Sequence, residues 1–215
     1  MKKCFSLIAF ILFLFTQSTF AQYDDKARMI LDNMSDKYKS IPAYEASFTQ
    51  TLENAQADIN ENFSGKITVK GEMFRLDMGG QEIINNGKTV WTYIPEVNEV
   101  NIDNYNPQDG EMTPSKIYAA YKDGYKYIYL EEKKMAGKAY DVIDLVPEDK
   151  NDPFFKIRLT IDQKGNVLKS WTMFDKSGNR YIYDITEFKI LNDIKDAFFH
   201  FDKAKYNGVE VVDLR

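Results

Sequence analysis

Phe63-Ser64-Gly65-Lys66-Ile67-Thr68-Val69-Lys70-Gly71-Glu72-Met73-Phe74-Arg75-Leu76-Asp77-Met78 is the stretch that decides the fold class. Phe63, Gly65, Ile67 and Val69 alternate with Ser64, Lys66, Thr68 and Lys70, and Phe74, Leu76 and Met78 alternate with Arg75 and Asp77. A period of two belongs to a β-strand with one dry and one wet face. The two runs are close enough to form an antiparallel pair.

The same pattern extends in both directions. Upstream, Tyr44, Ala46, Phe48 and Leu52 alternate with Glu45, Ser47, Thr49 and Thr51. Downstream, Gly79-Gly80 and Asn85-Asn86-Gly87-Lys88 supply turn chemistry, and Thr89–Ile94 and Asn98–Ile102 continue a meander. Further strands are expected at Tyr125–Glu132, Ala139–Val146, Phe154–Ile161, Val167–Asp175 and Arg180–Lys189, with a last pair at Ala197–Phe201 and Val209–Leu214. Asp162-x-Lys164-Gly165-Asn166 has the look of a calcium-loop fragment but lacks the later ligands, and reads as a hairpin turn. Two helices interrupt the β pattern. In residues 24–39, Ala27, Ile30, Leu31, Met34 and Tyr38 recur at spacings of three and four, with Asp24 and Asp25 at the start. Pro114 opens a second, short helix that Gly124 closes. A mainly β (α+β) fold of about ten antiparallel strands with two helices has to roll up or stack.

The first residues set the compartment. A basic start at Lys2 and Lys3, an apolar run Phe5–Phe15 and small residues Thr19 and Ala21 before Gln22 form a secretory signal peptide over residues 1–21, leaving one domain at 22–215. The only cysteine, Cys4, lies before the apolar run and leaves with it, so no disulfide or thiol chemistry is expected in the mature chain. The 215-residue chain carries a formal charge of −5, and losing Lys2 and Lys3 takes it to −7. An acidic chain of this kind is a poor partner for nucleic acid.

Catalytic vocabulary is sparse. The mature chain has one histidine, His200, between Phe199 and Phe201, so zinc sites and Ser–His or Cys–His arrangements are disfavoured. Nucleotide and nucleophile-elbow motifs are absent. The carboxylate groups at Asp24-Asp25, Glu131-Glu132 and Asp149…Asp152 read as solvated surface, although an envelope hydrolase working through acids stays open. No cofactor or metal is expected. What the chain does have is aromatic mass on its strands: Phe48, Phe63, Phe74, Trp91, Tyr93, Phe155, Trp171, Phe174, Tyr181 and Tyr183. Such residues either fill a closed core or line an open cavity for an apolar ligand, and the pattern alone leaves both open.

Several segments together resemble the LolA family of periplasmic lipoprotein carriers. They are Ala46-Ser47-Phe48-Thr49-Gln50, Gly65–Lys70, Phe74-Arg75-Leu76, the turn and Trp-x-Tyr of Ile83–Tyr93, the short helix at Pro114–Tyr121, Phe198–Phe201 and Gly208–Asp213. One place departs: the family commonly has Arg-Pro after the second strand, an arginine linked to latching the lid and releasing cargo, and Gly71 and Glu72 stand there instead. The resemblance implies an unclosed antiparallel β-barrel, a half-pipe covered by helices. Its lining is expected to comprise Phe48, Phe63, Ile67, Val69, Phe74, Leu76, Trp91, Tyr93, Phe155, Ile157, Leu159, Trp171 and Tyr183. Ile30, Met34, Ile117 and Tyr121 would form the lid, with Met29 beside them. It further implies a monomer in the periplasm. Its partners would be acylated lipoproteins, an inner-membrane ABC lipoprotein exporter and an outer-membrane acceptor. A periplasmic lipid-binding sensor, or a carrier of another envelope lipid, is the alternative.

Overall fold

The computed structural model describes residues 24–106 and 118–215. The expected signal peptide, Pro114 and Ile117 lie outside them. An α-helix, α1 (Asp25–Ser40), precedes β1 (Ala43–Asn54), β2 (Ile59–Lys70), β3 (Met73–Met78), β4 (Gln81–Asn85), β5 (Thr89–Ile94) and β6 (Glu99–Asn104). After the undescribed segment come β7 (Tyr125–Met135), β8 (Lys138–Pro147), β9 (Phe154–Asp162), β10 (Leu168–Asp175), β11 (Arg180–Leu191) and β12 (Glu210–Asp213).

All twelve described strands form one sheet, in the order β12-β6-β5-β4-β3-β2-β1-β11-β10-β9-β8-β7. β7 and β12 end the sheet without pairing to each other, so the curved sheet is unclosed. The opening stretch behaves as its alternation predicts. β2 and β3 pair antiparallel across the turn at Gly71, with Val69 opposite Phe74 and Ile67 opposite Leu76. The Asp162–Asn166 segment is a hairpin turn, closed by the Asn166 N–H donating to the Asp162 carbonyl at 2.9 Å.

Two expectations fail near the C-terminus. Ala197–Phe201 is not a strand: Asp196–Phe199 is a 3-10 helix. β12 pairs with β6 in parallel, not antiparallel. Both have one cause. After β11 the chain crosses the back of β2 to β6 as a strap, residues 192–209, and so reaches the far edge in the opposite sense from a hairpin. Lys70 holds the strap through the Ile194 carbonyl at 2.8 Å and Asp196 at 2.7 Å, and Arg75 donates to the Phe198 carbonyl at 3.1 Å. Phe199 and Val209 are buried with Ile84 and Val100 on this back face, apart from the main core.

The main core fills the concave face. There α1 buries Ala27, Ile30, Leu31, Met34 and Tyr38 against Ile143, Leu145, Ile157, Leu159 and Ile161. A helix of 16 residues is marginal alone in water. Burying Ile30, Leu31 and Met34 contributes about 5–9 kcal/mol gross, so packing holds the helix in place.

Asp24 caps it, one carboxylate oxygen accepting from the Lys26 and Ala27 N–H groups at 2.9 and 3.1 Å. The other oxygen accepts from the Tyr129 N–H at 3.0 Å, tying the start of α1 to the edge strand β7. Burial opposes the Asp24 charge slightly, but these N–H groups outweigh it and hold the carboxyl below its ordinary range.

Candidate functional site

A cavity of about 230 Å³ opens on the concave face. Its floor comes from β1 (Tyr44, Ala46, Phe48), β2 (Ile67), β3 (Leu76, Met78), β10 (Leu168, Trp171, Met173) and β11 (Tyr183, Ile185), and its roof from Tyr38 of α1 and Tyr118. An engineered apolar cavity of about 150 Å³ takes one benzene. By proportion, this one takes roughly nine carbons, part of one acyl chain.

The floor is open because of Gly65. Phe48 stands opposite Gly65 in the β1–β2 ladder, and its ring lies where a Cβ on residue 65 would be, 2.4 Å from Cζ. The missing side chain gives the ring a flat berth against the sheet.

Aromatic rings frame both ends. At one, Tyr38 stacks on Tyr118 with centroids 4.6 Å apart and meets Tyr44 edge-on at 5.6 Å. At the other, Trp171 stacks on Tyr183 at 4.5 Å. The polar groups here are phenols. Burial pushes the hydroxyls of Tyr38, Tyr44, Tyr118 and Tyr183 above their ordinary pKa, so each stays neutral near pH 7. Tyr38 accepts a hydrogen bond from the Leu168 N–H at 3.2 Å, which joins the end of α1 to β10. A neutral, apolar-walled cavity with hydroxyls at its edge suits a hydrocarbon chain.

The expected lining divides into three groups. Phe48, Ile67, Leu76, Trp171 and Tyr183 line the cavity. Val69, Phe74, Ile157 and Leu159 belong to the core around it. Phe63, Phe155, Trp91 and Tyr93 lie elsewhere. Phe63 has the inward parity, opposite Gln50, but sits beyond the rim and is exposed. Phe155 is corrected by a register shift: β10 pairs Phe174 with Lys156 and then Asp175 with Phe154. The bulge sends Phe155 to the back face beside Phe174, and Phe154 packs inward against Tyr181 instead.

Trp91 and Tyr93 are on the back face because β4 and β5 pair Ile84 with Trp91 and Glu82 with Tyr93. There Trp91 meets His200 under the strap, and Tyr93 meets Tyr206. Residues missed by the sequence reading are Tyr38, Tyr44, Ala46, Met78, Tyr118, Leu168, Met173 and Ile185. Tyr44, Ala46 and Met78 carried the signal, each belonging to the same alternating run as a residue that was chosen.

The lid residues are partly where they were expected. Ile30 and Met34 are buried on the underside of α1, while Met29 is exposed. Tyr121 is buried and donates to Asp32 of α1 at 2.6 Å. Arg75, the nearest arginine to the Gly71-Glu72 departure, points to the back face. Its Nε is 2.6 Å from Glu82 and it also bonds Tyr206, so it holds the strap and has no contact with α1.

Comparison with known proteins adds an independent line. Residues 39–202 match the family described as outer membrane lipoprotein carrier protein LolA. The chain is 28% identical over 220 residues to an outer-membrane lipoprotein carrier protein of Histophilus somni, covering all of this chain and 99% of that one. It is also 28% identical over 183 residues to the same-named protein of Actinobacillus succinogenes, covering 83% of each. Among solved structures, an uncharacterized conserved protein of Thermus thermophilus aligns with TM-score 0.58 at 15% identity, over 87% of this chain and 99% of that one. MucB aligns with TM-score 0.55 at 13% identity, over 88% of this chain and 66% of that one. These two likenesses concern the fold alone.

Proposed function

The chain belongs to the LolA family of outer membrane lipoprotein carrier proteins, and from that premise we propose that it binds the acyl chains of lipoproteins in the concave cavity and carries them from the inner to the outer membrane. Residues 1–21 are read as the signal peptide that delivers it to the periplasm, and 22–215 as one carrier domain. It would receive cargo from an inner-membrane ABC exporter and give it up to an outer-membrane acceptor. The reading is of a carrier, not an enzyme.

One observation supports this above the rest: the concave face keeps an apolar space of about 230 Å³ under a helix held mainly by apolar packing. The physics makes such a space useful. A buried methylene contributes about 0.8 kcal/mol, so one ~14-carbon chain amounts to ~10 kcal/mol gross. A multiply acylated protein would stay in the membrane or aggregate unless a soluble carrier offered an equivalent surrounding. Exchange between two apolar surroundings is close to neutral, and small differences in affinity set its direction.

The resting cavity holds only part of one chain, so a full load requires α1 to lift. An acyl chain sliding beneath α1 replaces the contacts of Ile30, Leu31 and Met34 with its own, which keeps the lift inexpensive.

Native mass spectrometry of the protein taken from its host's periplasm tests the proposal. Co-purification of an acylated protein is the expected result. A phospholipid or glycolipid in its place would redirect the reading to a carrier of another envelope lipid. An empty protein that also fails to extract acylated proteins from membrane vesicles would refute it.

A further inference from the structure

The back of the sheet is covered by the strap over β2 to β6 only. Beyond β1 it carries an apolar stripe in the open. Ile128 and Leu130 of β7, Val146 of β8 and Phe155 of β9 are each between 41% and 49% exposed. They are neighbours. Lys126 and Ile128 stand opposite Val146 and Asp144 in the β7–β8 ladder, so Val146 lies one row from Ile128. Phe155 rests beside Phe174 of β10, with ring centroids 6.2 Å apart. Single exposed apolar residues are ordinary, but four in a row are not.

Cations flank the stripe. Lys126 faces Val146. Lys156, Arg158 and Arg180 surround the Phe174 ring, at 4.2, 6.0 and 5.8 Å from its centroid. One acid, Asp144, stands among them, and Arg158 holds it through two hydrogen bonds of 2.7 and 2.9 Å. The bordering carboxylates are Glu53, opposite Arg180, and Glu131 and Asp184 one row further along. In the adjoining turns Asp149, Asp152 and Asp175 accept N–H groups of their own turns, and Lys150 and Lys176 accompany them. The patch thus sets four cations against one acid on a chain whose mature charge is −7.

We propose that the back of β7 to β10 is a membrane-docking surface, which takes the anionic phospholipid head groups of a bilayer between its cations while Ile128, Val146 and Phe155 enter the interface. Lysine and arginine are attracted to an anionic leaflet, and their aliphatic stems lie along apolar neighbours while the charge stays in water. The face is the outer, convex side of the half-pipe, and a fluid lipid surface moulds to such a face. Repulsion between the leaflet and the acidic remainder of the chain fixes the orientation. Docked this way, the concave cavity faces off the bilayer and stays open to exchange. The surface shares no residue with the cavity, so it goes beyond the carrier reading.

Co-sedimentation of the mature protein with vesicles tests the proposal. Binding is expected to vesicles of phosphatidylethanolamine with phosphatidylglycerol, to weaken with added salt, and to be absent with phosphatidylcholine alone. The double variant Lys126→Gln/Arg180→Gln should bind about 25-fold more weakly, about fivefold for each cation. Phe155→Ser should lose about fivefold. Lys203→Gln/Lys205→Gln, on the strap, should bind as the wild type does. A polarity-sensitive dye on Ile128→Cys should shift to the blue with the anionic vesicles, and the same dye on Val97→Cys should not. Affinity for 1-monolauroylglycerol, which reports the cavity, should be unchanged in the charge variants. A wild type that ignores anionic vesicles overturns the inference, as does binding that survives the double variant or that is equal on phosphatidylcholine. A dimer in the absence of vesicles that Phe155→Ser breaks overturns it in favour of a second copy. Each of these leaves the carrier reading standing, whereas loss of 1-monolauroylglycerol binding by the wild type bears on that reading alone.

Discussion

Replacing Gly65 by alanine would probe the cavity through its floor. The backbone there is ordinary strand, so the effect is steric. The new Cβ would stand 2.4, 2.7 and 3.0 Å from Cζ, Cε2 and Cε1 of Phe48. Carbon atoms rest at about 3.5–4.0 Å, so the ring has to retreat by roughly 1 Å or more. Overpacking in a filled core costs about 1–3 kcal/mol, and alanine returns about 0.5–1 kcal/mol relative to glycine within a strand. Here the ring has the cavity to move into, so the net loss of stability should be about 1 kcal/mol.

Binding suffers more. Displacing one or two methylenes of ligand, at about 0.8 kcal/mol each, lowers affinity for 1-monolauroylglycerol about four- to fifteenfold. Urea denaturation measures the first quantity and calorimetric titration the second. The double variant Gly65→Ala/Phe48→Leu should recover most of the affinity, because leucine does not reach the new methyl. Wild-type affinity in a stably folded Gly65→Ala protein would refute the reasoning, and so would a double variant that binds no better than the single.

Other expectations follow from the same geometry. The two tryptophans report different faces: an acyl ligand should change the fluorescence of Trp91→Phe but not of Trp171→Phe, and the reverse pattern would exchange their placements. Arg75→Met should destabilise the protein by about 1–3 kcal/mol, since it removes the cation from Glu82, which keeps only the Tyr206 hydroxyl, and the donor from the Phe198 carbonyl, while acyl-glycerol affinity stays near wild type; a large loss of affinity would restore Arg75 as a lid latch. Asp24→Ala should cost about 1 kcal/mol through the lost cap and speed amide exchange at Ala27 and Tyr129 before it affects the central strands. Asp24 has a lowered pKa in the folded state, so its contribution is present above the ordinary carboxyl pKa of 3.8 and fades as pH falls through the lower folded value. Protection of the Tyr129 amide should fall with pH in that acid range, and a flat profile would contradict the pairing.

Alternation within a run is a local property, and it placed most strands. What it could not carry across a turn was parity. Trp91 and Phe74 both read as dry-face residues, yet the β4–β5 register sets Trp91 against Ile84 on the back. A single bulge swaps Phe155 for Phe154, and nothing within Phe154–Ile161 marks it. All six residues of β5 are partly buried, because the concave surface lies on one side and the strap on the other. A two-sided strand has no wet face to betray its orientation. The strap also explains why Ala197–Phe201 read as a strand: Phe199 is buried by crossing a sheet instead of joining one. The resemblance to the carrier family identified the half-pipe, while the tyrosine end of the cavity depended on how α1, β1 and Tyr118 meet in space.

The strap has a mechanical consequence. The backs of β3 to β6 are covered by the strap, whereas the back of β7 to β9 is bare, with Ile128, Leu130, Val146 and Phe155 in solvent. A sheet braced by a strap bends less than a bare one. Swelling to admit thick cargo should therefore be asymmetric, with the β6 flank as a fixed jaw and the β7 flank, carrying α1 on its Asp24 tether, as the moving one.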